Sequence, residues 1–232
     1  MKHIGIIGGL SPESTIEYYK LICSEYNKKY GGWSYPHLTI RSLNLQEIAE
    51  LFKADRWDEM ADRIVTSIQD LEKAGADFSA IATNTPHQAY ERISRKSPLF
   101  VLSIMDATAR AIRDDDNQKV GLLGTLQTME YGYYQRKLKE YDIETIIPEQ
   151  DDRKYIDQVI WDELVTGTIT EKAKKGYLEI IEKLCDRGAE GIILGCTEIP
   201  LLIKPEDSPV TTYDTTTLHA HAILDYALAN DI

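Results

Sequence analysis

The sequence repeats itself. Lys2 to Gly9 reads KHIGIIGG and Gln118 to Thr125 reads QKVGLLGT, an offset of 116 in a chain of 232 residues. A second match closes each half. Gly75, Ala76 and Asp77 precede the run Phe78 to Thr83, and Gly188, Ala189 and Glu190 precede the run Gly191 to Cys196, at an offset of 113. Two matches at nearly equal offsets point to a duplicated half in which helix, glycine turn, apolar strand and polar cluster recur in order. The duplication sets Thr83 opposite Cys196.

Between these landmarks, apolar runs alternate with segments of helical period, which predicts an α/β fold with parallel sheets. Candidate strands are His3 to Ile7, Leu38 to Leu43, Phe78 to Ala82, Leu99 to Leu102, Val120 to Leu123, Glu144 to Ile147 and Gly191 to Leu194. The helix expected over Ser14 to Lys29 puts Ile16, Tyr19, Cys23 and Tyr26 on one face; that over Trp57 to Lys73 does so with Met60, Ile64, Ser67 and Leu71. The expectation is two pseudo-symmetric domains, each a parallel sheet flanked by helices. They cover residues 1–104 and 105–210, with 211–232 packing back on the first.

Composition narrows the function. Hydrophobic residues make up 43% of the chain, enough for a sizeable core. The formal charge of -12 excludes nucleic-acid binding through bulk charge, since phosphate contacts need a basic stripe. No uncharged run approaches a membrane span, and the start lacks the marks of a signal peptide. Three cysteines cannot form a disulfide framework and suit a reducing cytoplasm.

In an open parallel sheet, ligands bind beyond the carboxyl ends of the strands. Four polar clusters fall there: Gly8 to Ser11, Thr83 to Thr85, Gly124 to Thr125, and Cys196 to Glu198. Gly5, Gly8 and Gly9 do not follow the G-x-G-x-x-G order, and Asn44 rather than an acid follows the second strand, so dinucleotide binding is rejected. Ser11, Ser14 and Thr15 can cap a helix and leave backbone N–H groups facing a carboxylate. His219 and His221 point to different faces of a helix, and no cluster completes a metal site. Cys23 and Cys185 read as core thiols. Cys196 ends the apolar run GIILG and opens a polar turn, where helix N-terminal N–H groups would lower its pKa toward neutrality.

The motifs GIIGGLSPESTIEYY (Gly5 to Tyr19), TNTPH (Thr83 to His87), LLGT (Leu122 to Thr125) and GCTEIPLL (Gly195 to Leu202) resemble those of the aspartate/glutamate racemase family, aspartate racemase branch. The resemblance covers essentially the whole chain. It implies two α/β domains with the active site in the cleft between them, a homodimer, an acidic amino-acid substrate, and racemisation without pyridoxal phosphate, other cofactor or metal. It implies two catalytic positions on opposite faces of the α-carbon, here Thr83 and Cys196. It further implies that Leu10, Ser11, Asn84, Thr85, Thr197 and Glu198 line the pocket, with Phe52 and Lys53 near the distal carboxylate. Thr168 stands where relatives often carry a basic residue.

The chain departs from the usual family pattern in carrying Thr83 where a first cysteine is common. A threonine hydroxyl is a far weaker acid than a thiol, so Thr83 is a poor base unless a neighbour takes its proton. Cys196 is therefore expected to be the competent base toward one enantiomer. Two other readings fit a single cysteine: a dicarboxylate decarboxylase or isomerase of the same superfamily, and an amino-acid-binding protein that has lost the chemistry.

Overall fold

The computed structural model describes residues 1–229. Its strands are β1 (Ile4–Gly8), β2 (Leu38–Ser42), β3 (Phe78–Ile81), β4 (Val101–Leu102), β5 (Lys119–Leu123), β6 (Glu144–Ile146), β7 (Gly191–Leu194) and β8 (Thr211–Asp214). The first seven overlap the apolar runs of the sequence. The eighth, TTYD, has three hydroxyl side chains and an acid, so no apolar run announces it; pairing to β7 from Gly191↔Thr211 to Leu194↔Asp214 makes it a strand.

The strands form two four-stranded sheets, ordered β2-β1-β3-β4 and β6-β5-β7-β8, with every neighbouring pair parallel. Each half of the repeat thus builds the same sheet. In both, the chain runs outward to one edge and then returns to the other side of its starting strand. The switch points lie between β1 and β3, and between β5 and β7, where ligands enter such sheets.

The chain divides into two compact units, one of Met1–Ile104 with residues 216–229, the other Met105–Thr215. The segment that rejoins the first unit begins at Thr216 rather than at 211, because Thr211–Asp214 are held as the edge strand of the second sheet.

Helices cover both faces of the first sheet, as a parallel sheet requires. On one face, Ile4 and Ile6 of β1 and Phe78 and Ala80 of β3 pack with Tyr18 and Ile22 of α1 (Pro12–Tyr30), and with Ala220, Ile223 and Ala227 of the C-terminal helix Thr215–Leu228. On the other, Ile7 and Ile81 meet Ile48 and Phe52 of α2 (Leu45–Lys53) and Met60, Ile64 and Ile68 of α3 (Trp57–Lys73). Alternate side chains of each strand divide between these layers.

The buried face of α1 differs from the one its apolar residues suggest. Ser14, Thr15, Tyr18, Ile22 and Cys23 face inward, while Ile16 is 53% and Tyr19 51% exposed. Hydrogen bonds decide the orientation. Ser14 and Thr15 are needed at the strand ends, and the Tyr18 hydroxyl lies 2.8 Å from Nδ1 of buried His219. His219 Nε2 is 3.1 Å from the Leu102 carbonyl, an acceptor, so Nε2 carries the proton and Nδ1 accepts from Tyr18. His221, on the same helix, instead lines an outer groove with Glu25 and Lys28. Among the described residues, no helix is long and apolar enough to cross a membrane.

Burial, followed by the neighbouring His87, pushes the His219 pKa down to about 3 from its ordinary value near 6.5. Between those pH values the unfolded chain binds a proton that the folded chain refuses, so stability is complete above about pH 6.5 and falls as the pH drops. Acidification from pH 7 to 4.5 should cost about 2 to 3 kcal/mol through this one residue. His219→Gln, which can still accept from Tyr18, should flatten the fall in melting temperature over that range; an equally steep fall in the variant would show that other groups cause it.

Candidate active site

In the first unit, the loop leaving β1 turns at Gly9, whose φ is +78° and where a Cβ would collide with the Leu43 backbone. The turn delivers Leu10 and Ser11, both buried. Ser11 Oγ accepts the Ser14 N–H at 3.2 Å and caps α1. Thr15 Oγ1 accepts the Gly9 N–H at 2.8 Å and donates to the Ser11 carbonyl at 2.7 Å. The N–H groups of Gly9 and Ser14 are thus engaged within the turn, which narrows the backbone donors expected to face a carboxylate. Ser14 Oγ donates to the Ala82 carbonyl at 2.7 Å, tying the start of α1 to the residue before Thr83.

Thr83 is half-buried just beyond β3, and its N–H donates to the Ile81 carbonyl at 2.8 Å. Among the described residues, the hydroxyls of Thr83 and Thr85 have no hydrogen-bond partner. Among the described residues, no side chain is hydrogen-bonded to the Thr83 hydroxyl to take its proton. Buried His87 holds the main chain instead: Nδ1 is 3.0 Å from the Thr83 carbonyl, and Nε2 accepts the Ile104 N–H at 3.3 Å, which sets the neutral Nδ1–H tautomer. Asn84 is buried, and its carbonyl accepts the His87 N–H at 2.9 Å.

Phe52 belongs to the core, its ring stacked on Trp57 with centroids 6.2 Å apart, so its side chain is committed to packing. Lys53 is exposed at the end of α2. Thr168 is exposed and uncharged beside Thr166, its hydroxyl 3.2 Å away.

In the second unit, Gly195 lets the chain turn against β5. Its N–H donates to the Leu123 carbonyl at 2.7 Å, and an added Cβ would lie 2.8 Å from that same oxygen. Cys196 follows. Its Sγ donates to Glu198 Oε2 at 3.0 Å, and Thr197 Oγ1 donates to the same oxygen at 2.7 Å. Glu198 is buried, so the carboxylate faces the thiol away from bulk water.

This arrangement reverses the expected electrostatics of Cys196. Burial first, then the Glu198 charge and its hydrogen bond, hold the thiol well above its ordinary pKa. The helix that follows, Ile199–Leu202, is a single turn, and its N-terminal field does not outweigh a carboxylate in contact with sulfur. At rest, Cys196 is a thiol hydrogen-bonded to a base.

Further groups join this cluster without any sequence signal. Asp157 bears on Cys196 electrostatically, and its Oδ1 accepts the Leu126 N–H at 2.8 Å. It is one acid among several in the helix Gln150–Asp162, and chain order alone does not distinguish it. Tyr133 and Tyr177 are buried, and burial, with the Cys196 charge as a smaller contribution, raises both phenols. Tyr133 donates to Thr128 Oγ1 at 3.1 Å, and Thr128 Oγ1 is 3.2 Å from Thr125 Oγ1 in the LLGT turn.

Because the Glu198 charge raises the Cys196 pKa, Glu198→Gln should lower it. Iodoacetamide should then alkylate Cys196 faster at pH 8 in the variant, measured by peptide mass spectrometry to separate Cys196 from Cys23 and Cys185. An unchanged or slower rate would contradict the assigned electrostatics.

The sequence profile described as Asp/Glu/hydantoin racemase matches residues 7–223. A broad specificity amino-acid racemase from Bacillus subtilis (strain 168) is 27% identical over 97% of this chain and 98% of its own length. The crystal structure of a Yersinia pestis protein provisionally described as an Asp/Glu racemase superposes with a TM-score of 0.93 at 39% identity, covering 98% of this chain and 100% of that one. An aspartate racemase from Picrophilus torridus superposes with a TM-score of 0.76 at 25% identity, over 98% and 94% of the two chains.

Proposed function

From the chain's membership of the Asp/Glu/hydantoin racemase family, we propose that it racemises an acidic amino acid, aspartate or glutamate, without a cofactor, by moving the α-proton between opposite faces. The observation that carries this reading is the Cys196 thiol held 3.0 Å from the buried Glu198 carboxylate beyond β7. Thr83 stands at the equivalent place beyond β3, in the other copy of the same sheet.

On the Cys196 face, the thiol proton passes to Glu198 Oε2 and the resulting thiolate takes the α-proton. The electron pair left at Cα delocalises into the α-carboxylate. Thr83, or a water it holds, returns a proton to the opposite face and is reprotonated from solvent, while Glu198 releases the former thiol proton to solvent. Leu10, Ser11, Asn84, Thr85 and Thr197 line the substrate, Lys53 holds its distal carboxylate, and Glu198 serves the thiol. The chemistry needs a reduced Cys196, which suits a cytoplasmic location.

Enantiomers have equal free energy in an achiral solvent, so kcat/KM is equal in the two directions whatever the asymmetry of the two groups. The asymmetry falls on kcat and KM separately. Without a neighbouring base, Thr83 makes its direction the slower one in kcat.

Chiral chromatography of each enantiomer of aspartate and glutamate, incubated with the pure protein without pyridoxal phosphate, tests the reading. At least one pair should racemise. Cys196→Ser should slow the reaction about 10²-fold or more, the usual worth of an acid–base group. Thr83→Cys should raise kcat from the slower side. No racemisation of any acidic amino acid would refute the assignment. The unpartnered Thr83 hydroxyl also fits a one-donor reaction, decarboxylation of a substituted malonate; carbon dioxide release in place of racemisation would select it.

A further inference from the structure

Thr83 and Cys196 are equivalent in the repeat, but their side chains are held by different means. The Cys196 thiol is oriented directly, by its bond to Glu198 Oε2. The Thr83 hydroxyl has no partner among the described residues, so its direction is inherited from the backbone beneath it. A β-branched side chain has few χ1 settings, so fixing the Thr83 main chain confines the hydroxyl to correspondingly few positions. Whatever holds that main chain decides where the hydroxyl stands.

The sheet does not reach far enough. β3 ends at Ile81, the Ala82 N–H still donates to the Ile7 carbonyl at 2.9 Å, and the Thr83 N–H turns back to Ile81 at 2.8 Å. The Thr83 carbonyl has left the ladder, and among the described residues its partner is His87 Nδ1 at 3.0 Å. The 3-10 turn Thr85–Ala89 brings His87 back over Thr83, its N–H donating to the Asn84 carbonyl at 2.9 Å. The imidazole is itself fixed. It is buried, stacked on Tyr90 with centroids 5.8 Å apart and planes at 12°, met edge-on by the His219 ring at 6.3 Å, and held at Nε2 by the Ile104 N–H at 3.3 Å. Tyr90 is tied in turn by its hydroxyl to the Val101 carbonyl at 2.8 Å. Because Nε2 accepts, the neutral ring carries its proton on Nδ1, the nitrogen facing Thr83.

The second half of the repeat has no such device. Four residues beyond Cys196 stands Pro200, where four residues beyond Thr83 stands His87. A proline ring offers no donor, and the Cys196 carbonyl instead accepts the Ile199 N–H at 3.1 Å. The imidazole thus accompanies the position whose own side chain is unbonded. We propose that His87 is a positioning residue for racemisation, holding the Thr83 carbonyl through Nδ1–H so that the Thr83 hydroxyl is aimed at its face of the α-carbon. This role rests on the reaction assigned above. Misplacing a reacting group by about 1 Å can cost about 10²-fold in rate, so one hydrogen bond at this turn carries kinetic weight.

Two substitutions separate the ring nitrogens. His87→Asn places an amide N–H where Nδ1 stands and keeps the bond to Thr83; His87→Gln reaches the Nε2 position, keeps an acceptor for Ile104 and loses the bond to Thr83. His87→Gln should lower kcat about tenfold or more in both directions with KM within about twofold, the mark of an interaction made in the transition state, while His87→Asn should keep kcat within about threefold. Equal losses in the two variants, or a His87→Gln loss that falls on KM, overturn the proposal. NMR of the His87 ring nitrogens in the wild type tests the clamp without the reaction. At neutral pH the proton should sit on Nδ1 with Nε2 bare; the reverse tautomer overturns the proposal. A wild type that racemises no acidic amino acid removes the reaction and this role together, whereas full turnover by His87→Gln removes the role alone.

Discussion

Parallel pairing governs how this chain presents its chemistry. A parallel strand cannot be reached by a tight hairpin, so each strand is followed by a crossover and all carboxyl ends in a sheet emerge on one edge. In the first unit that edge carries the Gly9–Ser11 and Thr83–His87 turns, which leave adjacent strands β1 and β3. In the second it carries the LLGT turn and the Cys196–Glu198 turn, from adjacent β5 and β7. The glycines at the exits have steric work to do: a side chain at Gly9 would meet the Leu43 backbone, and one at Gly195 the Leu123 carbonyl. The loops that could touch a substrate are therefore braced by the sheet that precedes them.

Within that frame the two proposed catalytic positions are electrostatically unlike. Cys196 shares the buried Glu198 carboxylate with Thr197, and burial together with that charge disfavours its thiolate. Thr83 is surrounded by bonds that hold its backbone, with Ile81 and with His87, and among the described residues none reaches its hydroxyl. A strong base partnered with a weak donor still satisfies the requirement of equal kcat/KM, because both enantiomers share one transition-state region. The difference between the groups is expressed in which complex accumulates.

Much of this was legible in the chain. The glycine-punctuated repeat carried the sheet duplication, since short apolar strands ended by glycine are a local signal, and Cys196 and Thr83 stood out because the repeat aligned them. What escaped were properties set by neighbours distant in sequence. The strand Thr211–Asp214 exists through its pairing with β7. The inward face of α1 differs from its apolar stripe because Ser14 and Thr15, polar residues, are buried in hydrogen bonds with the loops after β1 and β3, leaving Ile16 and Tyr19 outside. Phe52, expected near the distal carboxylate, has its ring stacked on Trp57, a packing partner that chain order does not announce. The direction of the Cys196 pKa shift is opposite to the one its place before a helix predicts, because the position of the Glu198 carboxylate relative to sulfur depends on side-chain geometry, which spacing does not supply.

The central claim is that Cys196, relayed by Glu198, serves one face of the α-carbon while Thr83 serves the other. Tracking where solvent deuterium lands during the first few per cent of conversion in heavy water tests it most directly. With separate groups on the two faces, the newly formed enantiomer should carry deuterium at Cα while recovered substrate stays protiated. Deuterium appearing at equal rates in both enantiomers, or protium retained in the product, would mean that one group serves both faces and would contradict the account.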